Sequence, residues 1–178
     1  MVVTFKRDLL PHPSNVPGPV AAVRTGVQRV GEKLVLQFAL AGDMTKIRIP
    51  SVRESQRAED LWQHTCFEIF LRRQGHEDYL EFNFAPFGPW AAYHFDGYRR
   101  DRHDFPMQAP DIGGTSGPGV LSMIVSLDLP SSAWDIGLSA VIEDMEGRIS
   151  YWALAHPSAK PDFHHPDSFA LPFPGPVT

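Results

Sequence analysis

The chain has 178 residues, 43% hydrophobic and 21% charged, with a formal net charge of -5 and a single cysteine. That length fits one domain, residues 1–178, able to bury roughly 70% of the surface of its unfolded form. The acidic balance, with no basic block, argues against a nucleic acid or an anionic membrane as partner. No stretch approaches the roughly 20 apolar residues of a membrane span, and MVVTFKRDLL is charged too early for a secretory signal. Cys66 alone forms no internal disulfide, so a cytoplasmic location is the expectation.

Seventeen prolines and fourteen glycines cut the chain into short pieces, a pattern of strands between turns rather than of long helices. Residues 1–19 read as an extended arm. QRVGEKLVLQFAL follows as a turn at Gly31-Glu32 and a strand, with Leu34, Leu36, Phe38 and Leu40 on one face and Val35 and Ala39 on the other. RIPSVRESQRAED reads as a loop or a turn of helix. HTCFEIFL and YLEFNFAP then flank RRQGHED as a hairpin. If Leu71 pairs near Asp78, Phe67, Ile69, Leu71, Leu80, Phe82 and Phe84 share an apolar face, and Cys66, Glu68, Phe70, Tyr79, Glu81 and Asn83 share the other. WAAYHFDGYRR extends the sheet, with Ala91, Tyr93 and Phe95 expected inward. Asp101 to Gly119 holds enough breakers to predict a long mobile loop. Three strands follow, VLSMIVSLDL, GLSAVIED and ISYWALAH, and residues 157–178 form a proline-rich strap. About eight short strands spaced by turns predict an all-β sandwich or jelly roll.

The polar face of the hairpin is where chemistry is expected. Glu68 and Glu81 form a carboxylate pair of the kind glycosidases use, or a hydrogen-bonding or cation-binding pair. Trp62, Trp90 and Trp152 are either core residues or flat platforms for sugar rings, with neighbouring Glu, Asn and Arg for the hydroxyls. His156, Asp162, His164, His165 and Asp167 have ligand chemistry but no ligand spacing, and adjacent histidines on extended chain point apart. A calcium site of oxygen ligands is a further possibility. No phosphate loop, dinucleotide fingerprint or serine elbow is present, and Cys66 within its strand reads as buried and inert.

LWQHTCFEIFL, YLEFNFAPFGPWAAYHFDGYR and GLSAVIED with ISYWALAHPSAKPDFHHPDSF together resemble the free-standing bacterial DOMON-like proteins related to family 9 carbohydrate-binding modules, over roughly residues 60–169. The resemblance implies a β-sandwich of jelly-roll or immunoglobulin-like character. It implies a stacking tryptophan at Trp62 and a hydroxyl-accepting glutamate at Glu68, with Asn83 and Gly88 matching the element after the next strand. Tyr98-Arg99 match the aromatic-basic pair beyond, and Trp152 a second platform. The ligand so implied is a saccharide, bound without catalysis. Members of the wider group hold haem instead, for which His64, His94, His156 or Met107 would be the axial candidates.

Overall fold

The computed structural model describes residues 4–51, 53–130 and 132–175; the outermost residues of the arm and of the strap lie outside them. Thirteen strands are found among the described residues. In chain order they are β1 (Thr4–Asp8), β2 (Leu10–Pro11), β3 (Val20–Val30), β4 (Lys33–Gly42), β5 (Cys66–Arg73), β6 (Tyr79–Phe84), β7 (Trp90–Phe95), β8 (His103–Asp104), β9 (Asp111–Gly117), β10 (Val120–Asp128), β11 (Trp134–Glu143), β12 (Ile149–Ala153) and β13 (Leu171–Phe173). They make two antiparallel sheets, ordered β1-β3-β4-β10-β9 and β2-β12-β11-β5-β6-β7-β8, with β13 added alongside β11. The protein is an all-β sandwich. No helix among the described residues is long and apolar enough to cross a membrane.

One apolar layer lies between the sheets. β4 alternates as its sequence demands, so Leu34, Leu36, Phe38 and Leu40 are buried while Val35 and Ala39 are only half-buried on the outer side. From the second sheet come Phe67, Ile69, Leu71, Leu80, Phe82 and Phe84, the six-member face expected of the hairpin. Phe38 meets Phe67 across the interface with ring centroids 5.0 Å apart. Leu71 pairs with Leu80 rather than near Asp78, a shift of two residues that leaves every side chain on its expected face. Gly31, at φ 59°, makes the expected turn between β3 and β4.

The structure changes three expectations. Part of the arm is strand, because β1 pairs with β3 and β2 with β12. The predicted loop 101–119 contains β8 and β9, and β9 runs along β10 through Gly113 and Gly114. Those glycines looked like breakers, yet a Cβ at Gly114 would run into the Ser122 carbonyl, so close strand packing requires the glycine. The third change concerns β7. Phe84 pairs with Trp90 and Phe82 with Ala92, which puts Trp90 and Ala92 in the inter-sheet core and sends Ala91, Tyr93 and Phe95 to the opposite face.

β5, β6, β7 and β11 are buried on both faces almost throughout. The second layer over them is the strap. Phe169 and Phe163 pack on Phe70, Tyr79, Ala91, Tyr93 and Phe95, so the face carrying Glu68 and Glu81 is roofed by protein.

Candidate functional site

Beneath that roof lies a cavity of about 650 Å³, within the range typical of small-ligand sites. Its floor is made by alternate residues of adjacent strands: Glu68 and Phe70 of β5, Glu81 of β6, Phe95 of β7, Val141 of β11 and Tyr151 of β12. Trp62, in a 3-10 turn at Leu61–Gln63, stands at one side. Arg99 and Arg102 line another side, and Lys160, Pro161, Phe163 and His164 of the strap complete the wall.

Trp62 is 50% exposed. At the cavity wall its half-exposed ring offers an aromatic face to whatever enters. The residue before its turn, Asp60, has φ 57°, and Arg99 has φ 51°. Non-glycine residues held in the left-handed region cluster at ligand-handling sites.

The two acids are diagonal neighbours, since Glu68 pairs with Asn83 and Phe70 with Glu81. Glu68 is 2% exposed and accepts from Ser139 Oγ at 2.8 Å. Glu81 is also buried and accepts from Asn83 Nδ2 at 2.8 Å. Burial, and then repulsion from Glu81, hold the Glu68 carboxyl well above the ordinary carboxylate range. Burial raises Glu81 too, against the opposing pull of the Asn83 hydrogen bond and the Arg102 and Arg99 charges. Protonated carboxyls both donate and accept hydrogen bonds.

His164 hangs from the roof into this acid pair. Its Nδ1 lies 2.8 Å from the Tyr79 hydroxyl, which also accepts from the Arg99 backbone N–H at 3.2 Å. Burial, with the Arg99 charge, lowers His164 to about 4, and burial pushes the Tyr79 phenol up to about 12. A neutral imidazole that accepts from Tyr79 carries its own proton on Nε2, which faces Glu81 Oε2 at 3.7 Å. That distance is too long for a hydrogen bond, and a neutral ring makes no ion pair.

Of the residues singled out in the sequence, the structure brings Trp62, Glu68, Glu81 and Arg99 to the cavity. Asn83 is buried behind Glu81 and supports it. Tyr98 lies outside, its hydroxyl donating to Asp162 Oδ2 at 2.6 Å. Trp152 does not join the cavity: it alternates with Tyr151, packs in the inter-sheet core and is 8% exposed. The histidine-rich segment disperses. Asp162 binds Tyr98 and Arg99, His165 accepts from the Asp167 N–H, and His156 bonds the Leu10 carbonyl. None of His64, His94, His156 and Met107 lines the cavity; His64 is taken up by Glu143 at 2.8 Å. Phe95, Tyr151, Lys160 and His164 were missed as cavity residues. Phe95 and Tyr151 follow from strand parity once the pairing is known, but the strap residues carry no local signal of where they dock.

Comparison with solved structures matches the crystal structure of a "putative carbohydrate-binding protein" from Bacteroides uniformis, with a TM-score of 0.66. The alignment covers 91% of this chain and 82% of that one at 12% identity. The likeness is one of fold. No family model matches the sequence, and no curated protein matches it either. The sandwich is thus shared with that Bacteroides protein, while 12% identity transfers no site residue between them.

Proposed function

We propose that this chain binds a saccharide without catalysis, as the DOMON-like proteins related to family 9 carbohydrate-binding modules do, in the cavity between the second sheet and the strap. The observation that carries this reading is the half-exposed Trp62 ring beside a roofed cavity whose floor holds the buried Glu68 and Glu81. Aromatic faces suit the C–H surfaces of sugar rings, and convergent polar groups suit their hydroxyls. Glu68, Glu81, Arg99 and Lys160 supply such groups around Phe70 and Phe95. The fold likeness to a protein described as carbohydrate-binding supports the same reading.

A hydrolase is the second reading, favoured by two buried carboxyls in one cavity. Retaining and inverting glycosidases need one protonated and one ionised carboxyl, their affinities for protons pushed apart. Here burial raises both carboxyls in the same direction.

Isothermal titration against neutral and acidic mono- and disaccharides tests the proposal. Binding by the unaltered chain, abolished in Trp62→Ala, is expected, with no release of aglycone from aryl glycosides. No heat with any sugar of the panel, or equal binding by Trp62→Ala, overturns it. Turnover lost in Glu68→Gln would establish the hydrolase.

A further inference from the structure

The outer edge of the second sheet carries a separate group of side chains, on the face turned away from the cavity. β7 alternates, so His94 shares the side of Trp90 and Ala92, opposite Tyr93 and Phe95. β8 pairs with β7 so that His103 stands directly across from His94, their ring centroids 4.8 Å apart. Asp96, two residues past His94, has the same parity. One ligand atom from each of His94, Asp96 and His103 lies within 4.8 Å of the others.

What distinguishes this group from an ordinary polar edge is where its protons are fixed. His94 Nε2 is 3.2 Å from Asp78 Oδ2. A carboxylate only accepts, so Nε2 carries a proton, and in the neutral ring Nδ1 keeps its lone pair. His94 Nδ1 itself is shut off from solvent and has no hydrogen-bond partner among the described residues, with Asp96 Oδ1 3.4 Å away. His103 repeats the arrangement, since its Nδ1 donates to the Asp101 carbonyl at 3.0 Å and leaves the Nε2 lone pair open. Each imidazole thus holds one N–H on an outer acceptor, His94 on Asp78 and His103 on the Asp101 carbonyl, as metal-ligating histidines do.

We propose that His94, Asp96 and His103 bind a divalent transition-metal ion, zinc foremost. Two imidazoles and one carboxylate suit zinc and its borderline neighbours better than calcium or magnesium, which take all-oxygen sites. Three protein ligands leave a fourth position of a tetrahedral ion open to water or a further donor. Ligand atoms about 2.1 Å from such an ion lie roughly 3.4 Å apart, so a separation of up to 4.8 Å closes by about 1.4 Å on loading. The exposed His103, on a two-residue edge strand, makes that movement. The site is independent of the saccharide reading, because none of its residues lines the cavity.

The test is titration of the purified chain with zinc chloride, repeated with cobalt(II), whose visible bands report tetrahedral nitrogen and oxygen ligation. One ion per chain is expected. His103→Ala and Asp96→Asn should each weaken binding at least tenfold. Asp78→Asn, which removes the charge of the outer acceptor of His94, should weaken it by 10- to 100-fold. His76→Ala should leave it within about twofold, and Trp62→Ala should not change it. Absence of one-to-one binding overturns the proposal. So does binding unaltered in both His103→Ala and Asp96→Asn, which would put the ion at other histidines, or a loss in His76→Ala equal to theirs.

Discussion

The Arg99 guanidinium donates to Asp162 Oδ1 at 2.8 Å, and that bond ties the loop after β7 to the strap that roofs the cavity. Asp162 also accepts from the Tyr98 hydroxyl at 2.6 Å and from the His164 backbone N–H at 3.2 Å. These bonds outweigh the effect of burial and hold its carboxyl below the usual range. Asp162→Ala should cost about 1 to 2 kcal/mol, the exposed end of Arg99 limiting the ion-pair share. Hydrogen exchange should speed up at the amides of residues 160–168. Unchanged protection there would mean that apolar contacts of Phe163 and Phe169 hold the roof by themselves.

Trp62 is the exposed member of the four tryptophans, the others being buried. Iodide should therefore quench its emission selectively. A bound sugar should remove that quenching and shift the spectrum to the blue. Trp62→Ala should change stability by less than about 1 kcal/mol, as an exposed substitution does. If quenching by iodide persists at sugar concentrations that saturate a calorimetric titration, the ring is not the platform.

The pH dependence of stability follows from groups held neutral inside. Glu68 and Glu81, raised by burial, keep protons in the folded chain that an unfolded chain loses above ~4.3. His164, lowered to about 4, refuses a proton that an unfolded imidazole takes up below ~6.5. Between these limits the two effects oppose each other. Above ~6.5 the carboxyls set the slope, joined near ~8.5 by the buried Cys66 thiol, which burial also raises, and stability falls as pH rises through the raised carboxyl values, by up to ~1.4 kcal/mol per pH unit for each proton. Melting temperatures from about pH 6.5 to 9 should decline less for Glu68→Gln than for the unaltered chain. Equal slopes would mean that the carboxyl is already ionised in the folded state.

Phe82→Ala should cost about 3 to 5 kcal/mol, because the ring is fully buried between the sheets. Glu81→Gln is a different experiment. It replaces a buried, proton-retaining carboxyl by a neutral amide of nearly the same shape, and should be neutral at low pH and stabilising at high pH. Chemical denaturation at both ends of the pH range separates the two, and a large loss for Glu81→Gln at low pH would show that its carboxyl is needed charged.

The faces of β5 and β6 were legible because their apolar residues alternate, and alternation survives a misjudged register of two residues. β7 was not legible by the same means. Both of its faces are apolar, since one meets the inter-sheet core and the other the strap, and a strand buried twice has no period to read. β9 hid behind its glycines. The cavity was half visible: Trp62, Glu68 and Glu81 stand out locally, whereas His164 and Lys160 reach it only through a chain reversal that no neighbouring residue announces. Trp152 shows the limit of residue type as a guide, because one position along β12 separates a core tryptophan from the cavity wall.

The strap follows, in the chain, every strand that supplies the cavity floor. During synthesis those strands leave the ribosome first, and the sandwich can close before its roof exists. At that stage Glu68 and Glu81 face water and are ionised at neutral pH. Docking the strap then dehydrates them, and because burial raises both carboxyls that docking takes up protons from solvent. Its rate should slow as the surroundings become more alkaline, and stopped-flow refolding in a weakly buffered indicator dye should record the protons as they are taken up.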